Sequence, residues 1–521
     1  MRPKRVIVVG SGIGGLSAAV SMAARGVAVE VLERAAHPGG KMREVEVGGA
    51  QVDAGPTVLT MPWVFEELFE AAGARFSDYV TLHPAKILAR HGWPDGTCLD
   101  LHADLERSVD AISAFATPAE GRRYRDFCAR AERIFNTLDR PFIRSSKPSL
   151  PLLLHRIGWH RVRALWSINP YATLWQALGS HFHDPRLRQL FARYSTYCGS
   201  SPYLAPANLM LIAHVERAGV WLPEGGMHAI PKAVAALAAS LGVTFRYNAE
   251  VREITVKGGR ATGVQLAGGE RICADAVVLN ADAGALSMGL FGSRAARAVA
   301  PIRPQARSLS ALTWCVNART RGFPLTRHNV FFCRDYRAEF DDILRDGRAP
   351  RSPTVYVCAQ DRDGGDMPPV RKAERLLVVV NAPANGDSAF LNEKEKTSCE
   401  EATFAHLERC GLLIERTAQT AVMSTPQDFE RLFPATGGAL YGRASHGWMA
   451  SFRRPGSRTK LAGLYLAGGS THPGAGVPMA AISGRLAAWS LLADLASTSP
   501  LQSAAMPGGI SMRSARIGAA G

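Results

Sequence analysis

Short, unbroken apolar runs alternate along this chain with longer stretches of helical period, and the changeovers coincide with glycines. Residues 5–9 (Arg-Val-Ile-Val-Val) form a β-branched run that is too short for a helix and has no polar alternation. That pattern predicts a strand buried on both faces of a parallel sheet. A glycine turn follows, then a helical pattern that stops at Gly26, the residue type that caps helices in the left-handed conformation, and then a second strand over 27–32. Residues 105–220 read as helices rich in Arg, Leu, Ala and Trp, with few strand signals. The period changes again at 243–280, where short β runs at 243–247, 250–256, 263–267 and 276–280 are separated by Gly258, Gly259, Gly268 and Gly269. Residues 308–380 mix strand-like runs (354–359, 376–380) with polar loops. At 463–467 the opening logic returns: strand, glycine-rich turn, and a helix over 480–495. The small, weakly patterned residues 497–521 predict a disordered tail. No period of solenoid type is present. The fold class expected is α/β.

Charge narrows the partners. The net charge of +16 favours polyanions, but no zinc finger, RNP motif or other nucleic-acid module is visible, which leaves anionic lipid headgroups. No apolar run approaches the roughly 18 residues of a membrane span, and the basic start before residues 5–9 breaks into glycines too early for a signal peptide. The nine cysteines show neither CxxC pairs nor zinc-ligand spacing, and most read as small buried hydrophobes, in keeping with a reducing cytoplasm. The location expected is peripheral, on the cytoplasmic side of the inner membrane, with no transmembrane helix.

The chemistry begins at Gly10-Ser11-Gly12-Ile13-Gly14-Gly15, between a strand and a helix. In such a turn Gly10 permits the tight bend, Gly12 lets a pyrophosphate approach the backbone, and Gly15 lets helix and strand pack closely, while the helix N-terminus favours negative charge. Glu33 ends the second strand eighteen residues past Gly15, where a carboxylate accepts ribose hydroxyls. This fingerprint serves both FAD and NAD. Three further stretches favour the flavin: Arg34 with His37-Pro38-Gly39-Gly40-Lys41, then Asp53-Ala54-Gly55-Pro56-Thr57, and the remote turn of residues 464–479. The last supplies a second helix N-terminus, whose N–H groups suit the N1/C2 edge of a flavin ring.

On these motifs the chain resembles the bacterial carotenoid desaturases, the phytoene-desaturase-type branch of FAD-dependent amine-oxidase-like enzymes, over nearly all of residues 4–495. Residues 55–61, 441–448 and the Gly469-Ser470-Thr471-His472 turn most resemble the 1-hydroxycarotenoid 3,4-desaturases (methoxyneurosporene dehydrogenases) of purple bacteria, which act in spheroidene and spirilloxanthin synthesis. The resemblance implies a discontinuous, Rossmann-like FAD domain with an inserted α+β substrate domain. It places FAD-domain segments at 1–85, 225–290 and 436–496. A helical, membrane-facing substrate part then spans 86–224, a β-rich substrate part spans 291–435, and the tail is 497–521. It implies cofactor contacts at Gly10, Gly12, Ile13, Gly14, Gly15, Glu33, Arg34, Gly39, Gly40, Lys41, Met42, Gly55, Pro56, Thr57, Val251, Gly469, Pro478 and Met479. The stretch Trp221-Leu222-Pro223-Glu224-Gly225-Gly226-Met227 resembles a family element that approaches the flavin.

The implied reaction is desaturation of an acyclic carotenoid, C-3,4 desaturation of a 1-hydroxycarotenoid in the narrower reading. Hydride leaves one carbon for the flavin and a proton leaves the next, and positioning does most of the work because the polyene stabilises developing charge. No triad or metal cluster is expected. His472, Glu224 and Arg443 are weak candidates for a base, and no catalytic residue is assigned. Without a second GxGxxG in strand–helix context, the reduced flavin is expected to pass electrons to oxygen or a quinone. Phytoene desaturation, another polyene modification or amine oxidation on the same fold, and a non-enzymatic prenyl-binding escort role remain open alternatives. Residues 141–183 contain no Asp or Glu but hold Arg144, Lys147, Arg156, Arg161 and Arg163 among Leu152, Trp159, Trp166, Tyr171 and Trp175. This composition predicts a surface that lies on the membrane.

Overall fold

The computed structural model describes residues 4–157, 171–363 and 372–498. Its first sheet is parallel throughout. Strand β1 (Arg5–Val9) leads to helix α1 (Ile13–Ala23) and strand β2 (Ala28–Leu32); β3 (Thr244–Arg246), β4 (Ala276–Leu279) and β5 (Leu464–Leu466) join from far along the chain, before helix α2 (Val477–Thr498). The order is β5-β4-β1-β2-β3, with Val6 opposite both Val29 and Ala276. Central β1 is buried because its neighbours are largely apolar strands, helices cover one face, and a three-stranded antiparallel sheet (Val251–Lys257, Arg260–Leu266, Arg271–Cys273) covers much of the other.

Helix α1 is apolar nearly all round, which a helix tolerates only when enclosed. It lies against α2 and the helix Ala229–Ser240. The approach to α2 is closer than any side chain allows, since a Cβ on Gly484 would stand 2.0 Å from the Gly14 carbonyl oxygen.

A second, larger sheet carries the other half of the molecule. Its longest strand, Ser310–Gly322, pairs antiparallel with Glu374–Ala382, and the sheet extends through Val355–Ala359 and His328–Phe331 to Ile87–Gly92 and Cys98–His102. Helices Leu105–Phe115, Pro118–Leu138, Pro185–Ala192 and Leu211–Arg217 cover one face through a separate apolar core.

Two features of this sheet have no counterpart in the sequence reading. Ile87–Gly92 is buried along its whole length yet contains Arg90 and His91. Arg90 is neutralised by two 2.7 Å bonds to Asp100, and burial pushes His91 down to about 3, so polar letters fill an interior strand. Ser310–Gly322 is interrupted by Ser310, Thr313 and Asn317, which breaks the alternation that marks a strand.

Candidate functional site

One cavity of about 710 Å³, within the range of small-molecule sites, runs from the C-terminal ends of β1 and β2 to the second sheet. Of the eighteen residues for which the sequence implied cofactor contact, all but Gly15 line it. Gly15 acts instead in helix–strand contact: a Cβ there would meet the Gly10 carbonyl oxygen at 2.2 Å.

The dinucleotide end is built from three stacked turns. Gly39 N–H donates to the Ser11 carbonyl at 2.9 Å, which lays the second glycine turn along the first. A Cβ on Gly12 would sit 2.7 Å from Asn280 Nδ2, and one on Gly14 would sit 2.7 Å from the Gly468 nitrogen. The backbones of both turns and the N-termini of α1 and α2 therefore converge on a space that glycine alone leaves open, the arrangement an anionic diphosphate requires. Glu33 is buried and accepts from Ser11 N (2.7 Å), Ser11 Oγ (2.9 Å) and Ala35 N (2.9 Å). A carboxylate has roughly four acceptor sites, which leaves capacity for a ribose hydroxyl. Arg34 donates to the Leu432 carbonyl, and Leu432 and Phe433 close this end from the far side.

At the other end of the cofactor space, Asp53 holds its loop in place. It accepts from Met227 N (2.7 Å) and His228 N (3.1 Å), which brings the 221–227 element against residues 53–57. Burial pushes its carboxyl up, and those two N–H donors oppose the shift. Lys41 is held by the Leu440 carbonyl at 2.7 Å, and burial lowers its pKa. These fixed donors and glycine cradles, lining one continuous cavity, fit an FAD.

Several shaping residues were not assigned from sequence. Asn280 packs on the glycine turn from the end of β4; a polar residue closing an otherwise apolar strand was its only signal. Arg454 is buried and donates to the carbonyls of Tyr441 (3.0 Å), Gly469 (2.8 Å) and Arg443 (2.6 Å), tying the C-terminal turn to 441–443. A further group, with Glu216 and Tyr336 buried and Arg193, Tyr197 and Tyr356 partly buried, also lines the cavity.

The weak candidates for a base do not line the cavity. His472 Nε2 lies 2.9 Å from the Phe142 carbonyl and 3.0 Å from that of Ser145, and burial lowers its pKa to about 4. It is a neutral donor that secures the turn. Glu224 is exposed beside His83, and Arg443 also stands outside the cavity lining. Among the described residues no cluster suits a metal ion.

The family description "flavin containing amine oxidoreductase" matches residues 13–492. The chain belongs to that family. This flavin oxidoreductase is 54% identical to a hydroxyneurosporene desaturase of Rubrivivax gelatinosus, over 99% of each chain. It is 45% identical to a hydroxyneurosporene desaturase of Cereibacter sphaeroides, over 95% of this chain and 99% of that one. A putrescine oxidase triple mutant shares its fold at a TM-score of 0.59 and 14% identity, over 94% of this chain and 99% of that one. The flavin oxidoreductase is thus an FAD-dependent enzyme of CH–CH bonds, with an α/β fold.

Proposed function

We propose that the enzyme desaturates an acyclic carotenoid, and specifically that it introduces the 3,4 double bond into a 1-hydroxycarotenoid. The observation that carries this reading is the single cavity that joins a glycine-built dinucleotide cradle to a chamber walled by Leu209, Leu211, Ile212, Val215, Leu377 and Val379. The names of the relatives supply the substrate class. The cofactor contacts proposed are the cavity-lining residues above, from Gly10 to Met479. Bound FAD supplies the hydride acceptor, with oxygen or a quinone as the final oxidant. The chain binds the diphosphate on backbone N–H groups, fixes the loop of residues 53–57 through Asp53, and excludes water from the reacting carbons with apolar walls. No side chain among the described residues is placed as a dedicated base, which suits a reaction in which the substrate itself delocalises developing charge.

The same reading proposes the segments given above as an FAD domain interleaved with a substrate domain, and docking on a membrane surface, because so apolar a substrate must be drawn from lipid. Within 141–183, Arg144 pairs with Glu67 and stacks 3.9 Å from Trp63, so its charge is neutralised internally, while Arg156 donates to the neutral Ser145 Oγ (2.7 Å) and Ser146 carbonyl (3.0 Å) and keeps its charge. Trp159, Arg161, Arg163 and Trp166 lie outside the described residues. The region exposes Lys147 and His155 together with apolar Leu150, Leu152 and Tyr171; Leu204 and Trp448 are also exposed, and the Tyr171 and Trp448 rings are 5.7 Å apart.

Pigment analysis after expression in hosts that supply either phytoene or 1-hydroxyneurosporene tests the assignment. The 3,4-didehydro product should accumulate from the hydroxylated substrate. Efficient conversion of phytoene to lycopene, with hydroxyneurosporene untouched, would overturn it.

A further inference from the structure

Arg193 is a cation of the described cavity wall with little direct neutralisation. It follows the helix Pro185–Ala192 and lines the cavity, yet no carboxylate among the described residues pairs with it directly. Its one hydrogen bond runs from Nη1 to the Tyr197 hydroxyl at 3.3 Å. Tyr197 passes its own proton bond to Glu216 Oε1 at 2.7 Å, and Tyr194 occupies the other carboxylate oxygen. The charge is thus balanced at one remove, while the other guanidinium donors are left without a protein acceptor. The rings of Tyr197 and Tyr356 each stand 5.2 Å from the guanidinium carbon. Tyr336 lines the same wall; it is 5% exposed and its hydroxyl has no partner. Tyr441, from the segment that resembles the hydroxycarotenoid enzymes, also lines the cavity within electrostatic reach of Arg193.

An apolar chamber that keeps a cation and a lone phenol in its wall is built for a ligand with an oxygen at one point along its length. An aliphatic hydroxyl offers lone pairs to a guanidinium and one proton to an acceptor. Position supports the match. In a 1-hydroxycarotenoid the oxygen lies two carbons from the bond to be desaturated, so its reader must stand near the reacting carbons and away from the far end of the chamber. Tyr356 bridges the two regions: its hydroxyl is 2.7 Å from Thr57 Oγ1, on the loop proposed to hold the flavin, and its ring adjoins Arg193.

We propose that Arg193, with Tyr336 as second partner, binds the terminal hydroxyl of the substrate and so sets both the register of the polyene against the flavin and the preference for hydroxylated over unhydroxylated carotenoids. The proposal rests on the 3,4-desaturase reading above and names its specificity residues. An unhydroxylated chain end would press hydrocarbon against donors with no acceptor, a penalty that discriminates far more strongly than missing apolar contact.

The test compares 1-hydroxyneurosporene with neurosporene in Arg193→Leu, Arg193→Lys and Tyr336→Phe. It uses kcat/KM and also the dissociation constant measured on protein whose flavin is already reduced, where no turnover occurs. The visible flavin spectrum reports intact holoenzyme. Arg193→Leu should cut the preference for the hydroxylated substrate by about a hundredfold, chiefly by losing the hydroxylated one. Arg193→Lys should restore part of it, and Tyr336→Phe, which removes one oxygen and endangers no fold, should lower it severalfold. A purely structural Arg193 would depress both substrates equally and leave the ratio unmoved. If the wild type discriminates and both Arg193→Leu and Tyr336→Phe keep that ratio within twofold, this proposal falls while the 3,4-desaturase reading stands. If the wild type shows no preference at all, that reading fails and takes the proposal with it.

Discussion

Glu33 shows how far a single residue can be read. Its spacing from the glycines marks it as a ribose acceptor, but its bonds to Ser11 and Ala35, which also hold the first turn in shape, follow only from the folded chain. Glu33→Ala should therefore weaken FAD binding by about 1–3 kcal/mol, roughly five- to 150-fold in dissociation constant. Gly12→Val should bind none, because a side chain would fill the phosphate's place and strike Asn280. Flavin retained after dialysis measures both, and wild-type stoichiometry in the pair would remove the cofactor from this cradle. Glu33 was legible because strand, turn and carboxylate are local in sequence. The group around Arg193 was not: residues 193, 197, 216, 336 and 356 are brought together only by the docking of the helical layer on the second sheet. Tyr441, in the stretch 441–448 that resembles the hydroxycarotenoid enzymes, lines the same cavity, but taken alone that stretch gave no partner for a hydroxyl.

At the scale of elements, the parallel sheet was largely visible in advance. The predicted runs at 5–9, 27–32, 243–247, 276–280 and 463–467 fall on β1 to β5 within a residue or two. Short, largely apolar strands between glycines, of which β1 and β4 are almost fully buried, leave little choice of period. The second sheet was visible only in part, because its strands pair with distant partners and carry buried polar residues that those partners satisfy. The contact between α1 and α2 makes the prediction that belongs to this level. Gly484→Leu has no room against the Gly14 carbonyl, so it must force the helices apart and splay the two N-termini that face the diphosphate space. Overpacking of this kind costs about 1–3 kcal/mol. The variant should melt several degrees lower and lose flavin during gel filtration; an unchanged flavin content would show that the helix pair does not set the site.

For the whole molecule, acid is a predictable stress. His91 and His328 are pushed down to about 3, and His406 and His472 to about 4, in each case chiefly by burial. Unfolding frees them to take up protons near the ordinary value of about 6.5. Their folded values are depressed, so the stability they confer is complete above that pH and is lost as the pH falls from about 6.5 towards 4. Melting temperature should decline through that window, and His472→Gln, which can still donate to the two carbonyls, should make the decline shallower. A slope unchanged by that substitution would assign acid lability elsewhere. Membrane docking is also a property of the whole surface: with Arg144 paired to Glu67, adhesion should draw heavily on the exposed apolar side chains. Leu152→Asp combined with Trp448→Asp should reduce flotation with anionic liposomes and leave bound FAD intact, whereas flotation equal to wild type would move the docking face.

The parallel sheet also has a consequence for how the enzyme is made. Its first strand leaves the ribosome long before its edge strand β5, so β4 must wait for its outer neighbour until residues 464–466 have been translated. The last glycine turn and α2, which complete the diphosphate cradle, arrive later still. Until then the nascent chain presents an apolar sheet edge and a cradle open on one side, the kind of exposed strand that chaperones shield. FAD capture is therefore a closing event in biogenesis, and a chain released before residue 464 should emerge aggregation-prone and colourless rather than as a half-active flavoprotein.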